Sequence, residues 1–184
     1  MSTTNQQKDI ITTQYMIKKA ILGLIGAILL IALDQWTKLL AITHLKGQEA
    51  FVIWDGVFEL HYLENHGAAF GILQGKQTFF IISTIIVLLA IVYVYLKKIP
   101  NEPKFRFLNL IAVLYVAGAL GNFIDRVINN YVVDFFYFSL IDFPIFNVAD
   151  IYVVVATIGL MLLILFYYKE EDYNKIFPSK KEKS

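Results

Sequence analysis

Three blocks in the second half of the chain bring together residue types that could do chemistry: Gly118-Ala-Leu-Gly-Asn-Phe-Ile-Asp-Arg126, Val132-Val-Asp-Phe135 and Phe146-Asn-Val-Ala-Asp150. Two of their carboxylates, Asp134 and Asp150, could share one proton and activate a water between them. Like charges a few ångströms apart resist double ionisation, so one pKa rises and the acid and base roles separate. That is the chemistry of aspartic peptidases, and it needs neither metal nor cofactor.

The surroundings make such residues conspicuous. Of the 184 residues, 58% are hydrophobic and only 17% charged, against roughly 25% charged in soluble domains. A soluble chain of this length could not bury so much apolar surface internally, so lipid must solvate much of it. Polar and ionisable groups inside a membrane are expensive, and a functional site is the default reading for them. The formal net charge of +1 gives no basic face for nucleic acid. The absence of cysteine excludes disulfides and thiolate chemistry.

The hydrophobic runs predict an all-α integral membrane protein, one domain over 1–184, with helices at about 18–44, 77–97, 105–125 and 147–168. The first run follows Lys18-Lys19 as a secretory signal would, but it is long and no small-x-small cleavage site follows. It reads as an uncleaved span. Residues 1–16 form a polar tail, disordered or lying on the membrane surface, and 169–184 a charged one. Segment 45–76 mixes aromatic, β-branched and charged residues around Gly56, which predicts a small β-rich element. Segment 126–146 reads as an aromatic-rich loop broken by Pro144.

Twelve of the sixteen Lys and Arg fall in the N-terminal segment, the 97–106 loop and the C-terminal tail. The positive-inside rule then puts both termini in the cytoplasm and segments 45–76 and 126–146 outside. With that topology Asp34 lies about 21 Å along the first helix from Ala20, in the outer half. Asn122, Asp125 and Arg126 end the third helix, and Asn147 and Asp150 begin the fourth. Gly118, Asn122, Asp125 and Arg126 recur at offsets of three and four, on one helix face. With the Asn65–Phe70 and Asp134 segments in the outer loops, these helices bring their polar residues to one leaflet.

Each residue alone has a plainer reading. Asp34 and Lys38 are an (i, i+4) pair that could be a buried, self-neutralising bridge. Asn147 could cap the fourth helix, with Asp150 favoured at N3 by the dipole. Asp125 and Arg126 could anchor the interface. His44, His61 and His66 lack metal-ligand spacing, and Ser83 has no Lys or His near it in sequence.

Taken with Asp34-Gln-Trp-Thr-Lys38 and Asn65-His-Gly-Ala-Ala-Phe70, these blocks make five in order, and the chain resembles the lipoprotein signal peptidase family (signal peptidase II, integral-membrane aspartic endopeptidases of bacteria). The resemblance implies that Asp134 and Asp150 are the catalytic dyad. It implies that Asp34, Lys38, Asn65, Gly118, Asn122, Arg126 and Asn147 bind substrate or support the dyad. Asp125 is read as architectural, a partner for Arg126 beside it. The implied substrate is a prolipoprotein whose cysteine carries diacylglycerol, cleaved on the N-terminal side of that cysteine without metal or cofactor. Membrane lipids and cyclic-peptide inhibitors of the globomycin type are implied partners. The implied setting is the bacterial cytoplasmic (inner) membrane, as a multi-pass monomer with the site facing outward. Ala117 and Ile151 depart from the family's usual glycine and small residue. A proton-linked transporter or channel would use the same carboxylates as a relay, with polar residues continuing towards the cytoplasm. A scaffold subunit would depend on no single Asp.

Overall fold

The computed structural model describes residues 3–67 and 74–178. Among them α1 spans Thr3–Leu45, β1 Phe51–Trp54, β2 Phe58–Asn65, α2 Gln77–Lys97, α3 Arg106–Asn129, β3 Val132–Tyr137, α4 Val148–Leu162 and α5 Glu170–Ile176. Four helical segments are long and apolar enough to cross a membrane: Thr13–Leu45, Gln77–Lys97, Pro103–Asn129 and Val148–Tyr167. The last includes one π-helical turn, Leu163–Tyr167, that continues α4. None of the residues of α2 is buried among the described residues, as expected of an apolar rod whose solvent is lipid rather than a protein core.

α3 is the hub, packed against α1, α2 and α4. Two of its glycines allow the closest approaches. A Cβ on Gly118 would stand 2.6 Å from the carbonyl oxygen of Ala149, and one on Gly121 would stand 2.5 Å from Oδ2 of Asp34. Small residues at these crossings are the usual means by which helices in lipid bring their backbones together. Ala117 and Ala149 are fully buried beside them.

At one end of the bundle sits a three-stranded antiparallel sheet of order β1-β2-β3. Its first two strands meet at the turn containing Gly56, whose φ of +66° needs a residue without Cβ. The third strand corrects the sequence reading, because it comes from segment 126–146 rather than from between the first two spans. It pairs Asn65 with Val132 and Leu63 with Asp134, and its buried Val133 and Phe135 pack on Ala41 of α1. The two connecting segments are therefore one folded unit.

Three boundaries also differ. α1 begins at Thr3, so the polar N-terminal residues continue the helix instead of forming a separate tail. α3 runs to Asn129, with Asn130 closing it in the left-handed conformation, because Asp125 and Arg126 have partners inside the bundle and do not end the helix. The start of the charged tail is α5, docked against the opposite end of the bundle. Ile176 and Tyr168 pack there with Ile99 and Phe105, and Asp172 pairs with Lys104 at 2.5 Å.

Candidate active site

Asp134 lies in the middle of β3, on the face opposite Val133 and Phe135, and it is buried. Its Oδ1 accepts from Nδ2 of Asn147 at 2.6 Å and its Oδ2 from Nδ2 of Asn65 at 2.8 Å. Asn65 is held in turn by the backbone N–H of Gly67, which donates to its Oδ1 at 2.9 Å. Ala68 to Phe70, the rest of that sequence block, lie outside the described residues.

Asp150 is the third residue of α4. Asn147 caps that helix through a reciprocal box, its Oδ1 taking the N–H of Asp150 at 3.1 Å and its own N–H donating to Oδ2 of Asp150 at 3.1 Å. The capping reading of Asn147 is therefore correct. It is also incomplete, since the same side chain reaches Asp134. One residue thereby fixes the orientation of both carboxylates.

Behind them lies a buried ionic network. Lys38 bridges Asp34 at 2.9 Å and Asp125 at 3.0 Å, and donates to Oδ1 of Asn122 at 2.9 Å. The simple (i, i+4) pair is thus one edge of a larger structure. The other oxygen of Asp34 takes the N–H of Ala149 at the start of α4, at 2.9 Å, and Asp125 takes the N–H of Val133 on β3 at 3.1 Å. These two carboxylates therefore secure the backbone beside Asp150 and beside Asp134. Asn122 completes the link, with Nδ2 donating to Oδ1 of Asp150 at 2.8 Å.

Asp125 does not partner Arg126, contrary to the sequence reading. Adjacent helical residues point about 100° apart, and Arg126 turns to the other side. Its guanidinium stacks over Phe80 at 4.8 Å and makes only long contacts, 3.5 Å to the carbonyl of Asn122 and 3.4 Å to that of Gly67. Its Nε has no partner among the described residues. A desolvated arginine with spare donors is equipped to take a carbonyl or an anion. Gln35, unremarked in the sequence, also reaches the network. The visible signal was only its (i, i+3) spacing to Lys38.

Asn65, Asn122, Arg126, Asp134 and Asp150 line one cavity of about 440 Å³, walled on its apolar side by Phe143–Phe146 and by Ile151, Val153 and Val154. Ile151 thus lines the cavity. Burial, and after it the negative charge of Asp150, push the carboxyl of Asp134 up to about 7; the amides of Asn65 and Asn147 and the charge of Lys38 act the other way. The histidines lie elsewhere. His61 pairs with Glu59 at 2.8 Å, and His66 packs edge-on to Tyr131. Ser83 is hydrogen-bonded to the carbonyl of Phe80.

Four helices long and apolar enough to cross a membrane, with a polar site at one end of the bundle beside a small sheet, define an integral membrane protein. The profile of the Signal peptidase (SPase) II family matches residues 26–166. A lipoprotein signal peptidase of Streptococcus thermophilus is 46% identical over 153 residues, 83% of this chain and 92% of that one. One from Streptococcus pyogenes serotype M5 is 41% identical over 152 residues, 83% and 96% of the two chains. Two solved bacterial membrane enzymes superpose with TM-scores of 0.73 and 0.71, each 38% identical, covering 81% and 80% of this chain and 92% and 94% of theirs. The chain belongs to the signal peptidase II family.

Proposed function

We propose that the protein is an aspartic endopeptidase that removes the signal peptide from diacylglyceryl-modified prolipoproteins, with Asp134 and Asp150 as its dyad. The observation that carries this is the single cavity in which the two carboxylates, supplied by a strand and a helix N-terminus, each receive two amide or backbone donors. Neither has a cation bonded to it directly among the described residues, so their charge is available for proton transfer.

The roles divide by environment. Asp134, raised to about 7, keeps a protonated fraction up to neutral pH. Asp150 occupies the first turn of α4, where the helix dipole favours an anion, and Asn122 relays the polarity of Lys38 to it. Asp150 takes a proton from water as the water oxygen attacks the scissile carbonyl carbon, and Asp134 gives its proton to the carbonyl oxygen. The tetrahedral diol then collapses. Asp150 protonates the departing nitrogen, Asp134 recovers a proton from one hydroxyl, and the C–N bond breaks. The products are a carboxylate on the signal peptide and a free amino group on the lipidated cysteine.

Arg126 and Asn65 face the cavity as backbone-holding groups, and Ile151 and Val154 offer apolar surface to acyl chains. The lipid requirement has a physical basis, because two chains anchor the substrate laterally in the bilayer. With both termini cytoplasmic, the cavity faces outward from the bacterial inner membrane. A globomycin-type cyclic peptide would compete for it.

The test is cleavage of a purified prolipoprotein, with and without its diacylglyceryl group, by the parent and by Asp134→Asn and Asp150→Asn. The expected result is lipid-dependent cleavage lost in both variants with their fold retained. Cleavage surviving in either would overturn the dyad. No cleavage by the parent would return the proton-relay reading.

A further inference from the structure

Gln35 follows Asp34 on α1, and its amide nitrogen sits among three acceptors. It donates to Oδ1 of Asp125 at 3.0 Å, to Oδ2 of Asp34 at 3.2 Å and to the carbonyl of Gly121 at 3.2 Å. Two carboxylates and a carbonyl offer nothing to an amide oxygen, so the orientation of the side chain follows from its surroundings.

The charges around it show what this accomplishes. Asp34 and Asp125 are buried, and both pair with the one ammonium of Lys38. Two carboxylates against one cation leave a surplus negative charge in a low-dielectric site, where an uncompensated charge is costly. Gln35 bridges the same two carboxylates from the other side. It supplies N–H dipoles without a second positive charge, which would draw the carboxylates away from Lys38 and from the backbone N–H groups of Ala149 and Val133. Lys38 is thereby left with a donor to spare for Asn122, and Asn122 for Asp150.

We infer that Gln35 is a positioning residue for the peptidase reaction: its amide holds the Asp34–Lys38–Asp125 bridge in the arrangement that lets Lys38 orient Asn122 and, through it, Asp150. This rests on the proposed peptidase function. Gln35 touches neither the cavity nor either dyad carboxylate, so it acts through three intervening groups.

Replacement by methionine keeps the volume and removes the donors. Lys38 is then drawn fully to the two carboxylates, and Asn122 keeps only the uncharged donor, Nδ2 of Asn147, on its oxygen. Replacement by glutamate keeps the shape, and its donor is present only when the new carboxyl is protonated. That carboxyl would stand against Asp34 on α1 and Asp125 on α3, both of which pair with Lys38. Two acidic groups against one basic one favour its neutral form at low pH, and ionisation sets in as pH rises.

The experiment measures kcat and KM for a diacylglyceryl prolipoprotein with the full chain, Gln35→Met and Gln35→Glu between about pH 5 and about pH 9. Gln35→Met is expected to lower kcat on the order of 10- to 100-fold at every pH, with KM within about twofold. Gln35→Glu is expected to run close to the parent at the acid end and to lose activity faster than the parent as pH rises. A merely structural side chain would lower the melting temperature of both variants without changing the shape of the pH profile. Parental kcat in Gln35→Met, or a parental profile in Gln35→Glu, would overturn the inference. If the methionine variant does not fold, the glutamate profile decides alone. A parent that fails to cleave would overturn the peptidase function itself, and this role with it.

Discussion

Asn122 stands between Lys38 and Asp150 with its amide polarised one way, its oxygen 2.9 Å from the ammonium and its nitrogen 2.8 Å from the carboxylate. A second donor, Nδ2 of Asn147 at 3.0 Å, falls on the same oxygen. Both contacts require the oxygen to face the donors, so the NH₂ must face Asp150. A lysine bonded directly to Asp150 would neutralise it. The intervening amide orients the carboxylate and leaves its charge free for a proton.

Lys38→Met removes the only cation that pairs with Asp34 and Asp125 among the described residues. Two buried carboxylates then lack compensation, a situation that costs about 3–5 kcal/mol. The expected outcome is a large drop in melting temperature in detergent together with loss of cleavage. Asn122→Leu keeps that ion bridge and removes only the relay. It should fold with a smaller loss and still lower kcat on the order of 100-fold. Melting curves and steady-state cleavage on the two variants separate these effects.

The raised pKa of Asp134 makes two linked statements about pH. The acid role proposed for it requires the protonated form, so kcat/KM should fall as pH rises through about 7. Its effect on stability has the same sign. The folded state holds this proton from the ordinary value of 3.8 up to about 7, where the unfolded state has released it. Within that window stability falls as pH rises, because the folded form binds more protons. Asp134→Asn should flatten the dependence of melting temperature on pH between those limits. An unchanged slope would place the titration on another group.

Gly121 and Gly159 are expected to respond oppositely to alanine. At Gly121 the new methyl would lie 2.5 Å from Oδ2 of Asp34 and 3.1 Å from Cβ of Ala149. Asp34 cannot yield, being held by Lys38, Gln35 and the N–H of Ala149. Overpacking of this kind costs about 1–3 kcal/mol and would shift α4 and Asp150 with it. At Gly159 the nearest atom is Cδ1 of Ile111 at 3.4 Å, an ordinary contact, and alanine gains up to about 1 kcal/mol in helix propensity. Thermal melts of Gly121→Ala and Gly159→Ala, with cleavage rates, check both directions.

These residues also show which parts of the site the sequence made legible. Asp34, Lys38, Asn122, Asp125 and Asn147 stood out because ionisable and amide groups are rare within apolar runs, and periodicity placed them on shared faces. Gln35 did not stand out, since one uncharged amide next to a charged pair carries no signal of its own. The strand holding Asp134 was hidden for a different reason. Val132-Val-Asp-Phe-Phe-Tyr137 has no polar–apolar alternation, and two spanning helices separate it in the chain from its partner strand at Phe58–Asn65. Local patterns cannot report such a pairing. The choice of Lys38 over Arg126 as the partner of Asp125 depended on side-chain direction at the α1–α3 crossing, which only three-dimensional packing fixes.

The docking of α5 can be tested through Asp172, which is buried and takes both Nζ of Lys104 at 2.5 Å and the N–H of Lys169 at 2.9 Å. The hydrogen bond from Lys104, and after it that from the Lys169 N–H, hold its carboxyl below the ordinary value of 3.8. A depressed carboxylate stabilises the folded state above its unfolded pKa, and that contribution is lost as pH falls through the folded value. Asp172→Asn keeps an oxygen for the Lys169 N–H and loses the ion pair. Its melting temperature should therefore lie below the parent's at neutral pH, and the two should converge under acid conditions below about pH 4. Cleavage well below the melting transition should be unaffected, because Asp172 lies at the opposite end of the bundle from Asp134. Equal melting temperatures at neutral pH would mean that α5 is held by Ile176, Tyr173 and the Lys175–Glu102 pair without help from Asp172.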